Sequence, residues 1–119
     1  MAKHYELGKK GEQLAVEFLL KKKYTILETN YRFLKAEVDI IAQKEDTIVA
    51  VEVKTRSSEA FGNPQDFVNK KKIQLLVLAM DHYVQDKDLD VEVRFDIIAI
   101  INQKSTFTID HIEDAFLYF

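Results

Sequence analysis

Glu37-Val38-Asp39 and Val51-Glu52-Val53-Lys54 place carboxylates and one lysine in two short runs otherwise made of apolar, strand-forming residues. Charged groups are expensive to bury without partners. If the strand over 38–42 turns through the polar Gln43-Lys44-Glu45-Asp46 and pairs with the strand over 47–53, Asp39 and Glu52 come side by side. Two adjacent carboxylates repel at neutral pH unless a cation or proton intervenes. An all-oxygen site suits Mg²⁺, or Mn²⁺, which lowers the pKa of a bound water and offsets charge on a phosphate. Lys54, two residues from Glu52 and on the same strand face, can position or help deprotonate an attacking water, or neutralise a developing phosphorane. The chemistry is that of phosphodiester hydrolysis.

Glu12 adds a third carboxylate. On a helix its neighbours in space are Tyr5, Gly8, Ala15, Val16 and Leu19, which reads as the inward stripe. Gly8 and Ala15 are small and would allow close approach to a sheet. A glutamate there wants a buried partner, and the metal site or Lys54 supplies one. Acid-x-Lys arises by chance roughly once in a chain this long, so the tripeptide alone carries nothing. Its place in a buried strand, behind a carboxylate in the preceding strand, carries more. From the residues alone a metal site and a structural ion-pair network stand level.

The elements that must position these groups follow from periodicity. Residues 5–22 read as a helix and 24–33 as a strand. Strands follow at 38–42 and 47–53, the latter a near-continuous apolar run expected to be covered on both faces. Residues 55–63 read as a loop. Asn63 and Pro64 suggest a cap and first turn for a helix to about Gln85, with a break near Asn69 as the alternative. Strands over 91–101 and 107–112 complete an α-β-β-β-α-β-β order. This is an α/β fold: a mixed sheet of about five strands flanked by helices, with the two apolar strands around the second helix forming a parallel crossover.

The 119 residues, 47% hydrophobic and 31% charged, describe one globular domain over 1–119. No apolar run approaches the roughly 18 residues of a membrane span, and the start does not read as a signal peptide. There is no cysteine, which excludes disulfides and thiolate metal sites and is compatible with a cytoplasmic setting. A net charge of −3 argues against non-specific coating of nucleic acid but not against a nuclease with a local basic patch.

Taken together, these residues resemble the PD-(D/E)xK nuclease superfamily. Nearly the whole chain resembles the YraN family, whose fold is restriction-endonuclease-like. The resemblance runs through Gly8 to Ala15, Asn30-Tyr31-Arg32, Ala36 to Ile41, Val51 to Arg56 and Phe61 to Pro64. It continues through Lys70, Arg94-Phe95-Asp96 and Ala115-Phe116. Ala36 stands where the family usually has glycine. The core is also similar to archaeal Holliday-junction resolvases. That resemblance implies Glu12, Asp39 and Glu52 as metal ligands, Lys54 as catalytic base or electrostatic stabiliser, branched DNA as a substrate form, and a homodimer. Glu37 falls behind the ligands as a supporting group.

Other residues have plainer readings. Lys21-Lys22-Lys23 complement the negative end of the first helix. Lys70-Lys71-Lys72 sit at a helix's positive end if Asn69 is the cap, which favours a bound anion; otherwise they are a solvated patch. Lys70, Lys71 and Arg56 are the candidate contacts to a DNA backbone. Arg94 and Asp96 read as an ion pair supporting the fold. His4, His82 and His111 show no ligand spacing and read as surface or packing residues, and the apolar tail from Ala115 reads as packed on the core. The alternatives to an endonuclease are a non-catalytic nucleic-acid-binding module and a protein-interaction domain with a structural acid-lysine cluster.

Overall fold

The computed structural model describes residues 2–56, 68–104 and 106–116, with side chains from Leu7 onward. The order is α1 (Ala2–Lys21), β1 (Thr25–Phe33), β2 (Ala36–Lys44), β3 (Thr47–Arg56), α2 (Lys70–Asp86), β4 (Glu92–Gln103) and β5 (Thr106–Ile112). The expected α-β-β-β-α-β-β arrangement is thus present. One five-stranded sheet runs β1-β2-β3-β4-β5. Its pairs are antiparallel except β3 and β4, which are parallel and joined through α2. A parallel pair needs such a crossover, whereas β2 and β3 turn directly at Glu45, which adopts a left-handed φ of 57°.

The sheet is covered on both faces, which is why β3 and β4 read as unbroken apolar runs. On one face Ala15 and Leu19 of α1 pack with Ile40, Val49, Val51, Ile98 and Ile100. On the other, Leu76, Ala79, Met80 and Tyr83 of α2 pack with Val38, Ile41, Ile48, Ala50, Phe95 and Ile97. Phe116 joins that second layer, and the Ala115 N–H reaches Phe95 O at 2.8 Å, so the described part of the tail docks on the core.

Of two local expectations, the alternative break near Asn69 holds and the role of Gly8 changes. The α2 start is Lys70, capped by Asn69, whose Oδ1 accepts the Lys72 N–H at 2.8 Å. The Asn63–Pro64 start lies outside the described residues. The glycine that lets α1 approach the sheet is Gly11, not Gly8: a Cβ on Gly11 would overlap the Thr55 hydroxyl, whereas one on Gly8 meets open space. The buried stripe is Gly11, Ala15 and Leu19, so Glu12 sits on its flank, half-buried.

A second polar cluster ties β5 and the end of α1 to β4. Asp96 is fully buried and accepts from Arg94 Nε and Nη2, both at 2.9 Å, and from the Asp114 N–H at 3.0 Å. His111 Nε2 lies 2.8 Å from the same carboxylate, and His111 Nδ1 lies 3.0 Å from Lys22 Nζ. An ammonium only donates, so Nδ1 accepts and Nε2 carries the proton given to Asp96. Arg94 also donates to Tyr24 Oη at 2.7 Å. Burial alone would raise the Asp96 pKa, but these donors outweigh it and hold the carboxyl below its ordinary range. The expected Arg94–Asp96 ion pair is present, with Nη2 and Oδ2 2.9 Å apart. His111 is the packing residue expected, edge-on to the rings of Phe18 and Tyr24, and is in addition a hydrogen-bonding member of the fold, with Lys22 serving this cluster.

Candidate metal and nucleic-acid site

β2 does not keep its alternation where the acidic residues lie. Val38 packs toward α2 and Ile40 toward α1, although residues two apart on a regular strand share a face. Asp39 is the pivot. Opposite it on β1, Asn30 adopts a left-handed φ of 54° between the pairs Thr29–Ile40 and Tyr31–Val38. The β2–β3 ladder also ends at Ile40–Val51, while β3 continues along β4 to Arg56. The simple alternation that would put Glu37 and Asp39 on one face therefore fails, because the strand turns over between them.

This break leaves the Val53 N–H without a β2 partner, and Asp39 Oδ2 accepts it at 2.8 Å. Glu52, on the α2-facing side with Ile48 and Ala50, is 3% exposed. Lys54 Nζ lies 3.5 Å from Glu52 Oε2, and Lys72 Nζ, from the first turn of α2, lies 2.6 Å from the same oxygen.

The carboxylates are electrostatically joined. Burial and the adjacent Glu52 push the Asp39 carboxyl up to about 7, against the lowering effect of the Val53 hydrogen bond. Burial also raises the Glu12 pKa. A hydrogen bond to Asn30 opposes that rise, while the charges of Glu37 and Glu52 reinforce it. Burial would lower the Lys72 pKa, but its hydrogen bond and charge pairing with Glu52 raise it, with Asp39 and Glu37 adding to the effect.

Glu12 borders two grooves. One of about 270 Å³ is lined by Gly8, Glu12, Val53, Lys54, Thr55 and Arg56. The other, of about 400 Å³, is lined by Lys9, Glu12, Gln13, Val16, Thr29 and Asn30. Arg56 is exposed at the end of β3 and hydrogen-bonds Thr55 O at 3.2 Å. Glu37 lies 3.5 Å from exposed Arg32, its partner across the β1–β2 ladder. Lys70 and Lys71 are exposed in the first turn of α2.

The donor set is oxygen-only, as Mg²⁺ or Mn²⁺ prefers, and carries negative charge that Asp39 relieves by taking a proton near neutrality. Among the described residues, however, no three carboxylate or imidazole side chains already lie close enough together to clasp an ion. The residues fit such a cation in chemistry, on condition that the Lys72 ammonium leaves Glu52.

Sequence reasoning missed two members of this cluster, Lys72 and Asn30. Lys72 was legible: Lys72, Leu76, Ala79 and Tyr83 fall on one helical stripe, and the last three are buried. Asn30 opens the Asn30-Tyr31-Arg32 run that carries part of the resemblance, and asparagine tolerates left-handed backbone, but nothing in the hydrophobic pattern placed it beside Glu12.

The model of the family described as "Uncharacterised protein family UPF0102" matches residues 11–100, which include Glu12, Asp39, Glu52, Lys54 and Lys72. The chain belongs to the UPF0102 family. A UPF0102 protein of Christiangramia forsetii is 66% identical over 119 residues, covering all of both chains. One from Flavobacterium psychrophilum is 63% identical over the same length, again covering both chains completely. A more distant UPF0102 protein, from Phocaeicola vulgatus, is 44% identical over 116 residues, 98% of this chain and 96% of that relative. Similarity to UPF0102 relatives thus spans both α1 and the strands that carry the acidic cluster.

Proposed function

We propose that this protein is a divalent-metal-dependent endonuclease that hydrolyses DNA phosphodiester bonds, with branched or junction DNA among its substrates. In this reading it is a PD-(D/E)xK enzyme of the YraN type. The observation that carries the proposal is the seating of Asp39 on the Val53 N–H at 2.8 Å, next along β3 to buried Glu52, where burial first and the Glu52 charge second push the Asp39 carboxyl up to about 7. Two carboxylates held together at that cost are a receptor for positive charge.

Asp39 and Glu52 would hold Mg²⁺ or Mn²⁺, with Glu12 joining directly or through water. A bound ion of this kind activates a coordinated water and offsets phosphate charge. Lys54 shares the groove with Glu12, where its ammonium orients the attacking water and stabilises the transition-state phosphorane. Arg56, Lys70 and Lys71 contact the DNA backbone, and Glu37 supports the site through its charge. No described helix is long and apolar enough to cross a membrane. A cytoplasmic enzyme acting on DNA, as a homodimer when both strands of a junction are cut, completes the reading.

A specific observation favours a second reading. Glu52 already has two lysine partners, which is also how a structural acid-lysine cluster in a nucleic-acid-binding or protein-interaction module would look. Incubating the protein with labelled linear and four-way-junction DNA, with and without Mg²⁺ and beside Lys54→Ala, decides between them. Metal-dependent cutting lost in Lys54→Ala supports the enzyme. Binding without cutting favours the recognition module, and neither favours the interaction domain. A thermal shift on adding Mn²⁺ should vanish in Asp39→Asn; its persistence would remove Asp39 from the ligand set.

A further inference from the structure

We infer that Lys72 is a built-in counter-ion that a divalent cation displaces from Glu52, and that its freed ammonium then engages the substrate phosphate. The inference rests on the metal-site reading and assigns a role to a residue that reading does not use.

Three observations point the same way. First, the Lys72 ammonium is seated on Glu52 Oε2 at 2.6 Å, a short charge-assisted contact, while Lys54, although only two residues away on the same strand, stands back at 3.5 Å. Glu52 is 3% exposed, so this oxygen is neutralised by protein rather than by solvent. Second, Lys72 is fixed at its root. It is the third residue of α2, its N–H is held by the Asn69 cap, and its stripe continues into buried Leu76, Ala79 and Tyr83. The long side chain is free to swing from that root without moving the helix. Third, the root lies at the positive end of a 17-residue helix, beside exposed Lys70 and Lys71, so the ammonium has an anion-favouring position to move into.

A carboxylate oxygen has lone pairs enough for both a metal ion and a hydrogen bond, but an ammonium and a divalent cation on the same buried carboxylate repel one another and compete for its single negative charge. A cation that takes Glu52 Oε2 therefore weakens the Lys72 contact and favours its release. The released charge remains within a side chain's length of the site, where an incoming phosphate replaces the carboxylate as its partner. Without the ion, the same lysine shields Glu52 and keeps the acidic cluster compatible with the fold.

Titration calorimetry with Mn²⁺ alone, on wild type, Lys72→Met and Lys71→Met, tests this directly. Lys72→Met removes the competitor and should bind Mn²⁺ about tenfold more tightly, the equivalent of one charge-assisted hydrogen bond. Lys71→Met removes the same formal charge from an exposed neighbour and should tighten binding far less. In wild type, the ¹⁵N signal of the Lys72 ammonium should lose its carboxylate-bonded character on adding Mg²⁺, a readout that does not depend on any variant folding. On junction DNA at saturating metal, Lys72→Met should cut more slowly despite its tighter metal binding. Wild type binding Mn²⁺ with Lys72→Met no tighter, or an ammonium signal unmoved by bound Mg²⁺, overturns the inference and leaves the metal site standing. Failure of both wild type and Lys72→Met to bind Mn²⁺ overturns the metal site and the inference with it.

Discussion

The carboxylate of Asp39 accepts the backbone N–H of Val53 at 2.8 Å, at the point where β2 and β3 cease to pair. The same side chain thus repairs a sheet and faces the acidic cluster, and the two roles separate by mutation. Asparagine keeps an acceptor for the N–H and discards the charge; alanine discards both. A partly buried donor left unsatisfied costs about 1–3 kcal/mol. In urea unfolding at pH 7 without metal, Asp39→Ala should be less stable than Asp39→Asn by that amount. Equal stabilities would mean that the Val53 N–H needs no partner from β2.

The raised Asp39 carboxyl gives stability a particular pH dependence. Its native pKa of about 7 lies above the ordinary value of 3.8, so between those values the folded state binds more protons than the unfolded one. Stability from this source is complete below about pH 4 and is lost as pH rises through 7. Glu12, also raised, adds a loss of the same sign. Denaturation midpoints of wild type should therefore fall between pH 5 and 8 relative to Asp39→Asn. A difference between the two that does not change over that range would show that Asp39 is ionised throughout.

Asp96 has the opposite sign. Its native pKa lies below the ordinary carboxyl range, so the stability it contributes is present above that range and is lost as pH falls through its native pKa. Asp96→Ala would strand Arg94, the Nε2–H of His111 and the Asp114 N–H around a fully buried position. Breaking a buried pair by removing one partner costs about 3–5 kcal/mol. Chemical denaturation should show that loss with an unchanged m-value, while Asp39→Asn shows no comparable loss. A loss below about 1 kcal/mol would place the cluster with surface ion pairs.

Element order and the β2–β3 and β3–β4 pairings were legible because period-two and period-3.6 patterns report which faces are buried. The run at 47–53 announced a strand covered on both sides and the run at 91–101 a second apolar strand beyond the helix; β3 and β4 are those strands, and both are covered on both faces. The acidic residues were legible as types and positions, but their geometry was not. Alternation along β2 holds only up to Asp39, and the break there is matched by a left-handed Asn30 whose backbone conformation no hydrophobic pattern encodes. Lys72 escaped because a run of three lysines reads as one solvated patch until the Asn69 cap fixes the helical phase and turns one of the three inward. The error at α1 was of the same kind. The expected stripe around Glu12 shares Ala15 and Leu19 with the observed stripe of Gly11, Ala15 and Leu19, but its centre is turned by about 50°, half of one residue's roughly 100°, which is enough to move Glu12 to the flank.

That rotation yields a paired test on two glycines three residues apart. Both lie inside α1, where alanine is favoured over glycine by about 0.5–1 kcal/mol. At Gly8 the added methyl meets open space, so Gly8→Ala should stabilise by about that much. At Gly11 it would overlap the Thr55 hydroxyl at the end of β3 and force helix and strand apart. Overpacking of this kind costs about 1–3 kcal/mol, more than the helical gain, so Gly11→Ala should destabilise. Thr55→Ala removes the obstructing hydroxyl and should restore much of the loss in the double variant, a coupling that additive effects cannot produce. Thr55 and Glu12 line the same groove, so displacing α1 also moves Glu12 relative to Lys54. Gly11→Ala should therefore weaken any Mn²⁺-induced thermal shift while Gly8→Ala preserves it. If both substitutions raise the melting temperature equally, α1 does not rest on β3 through Gly11.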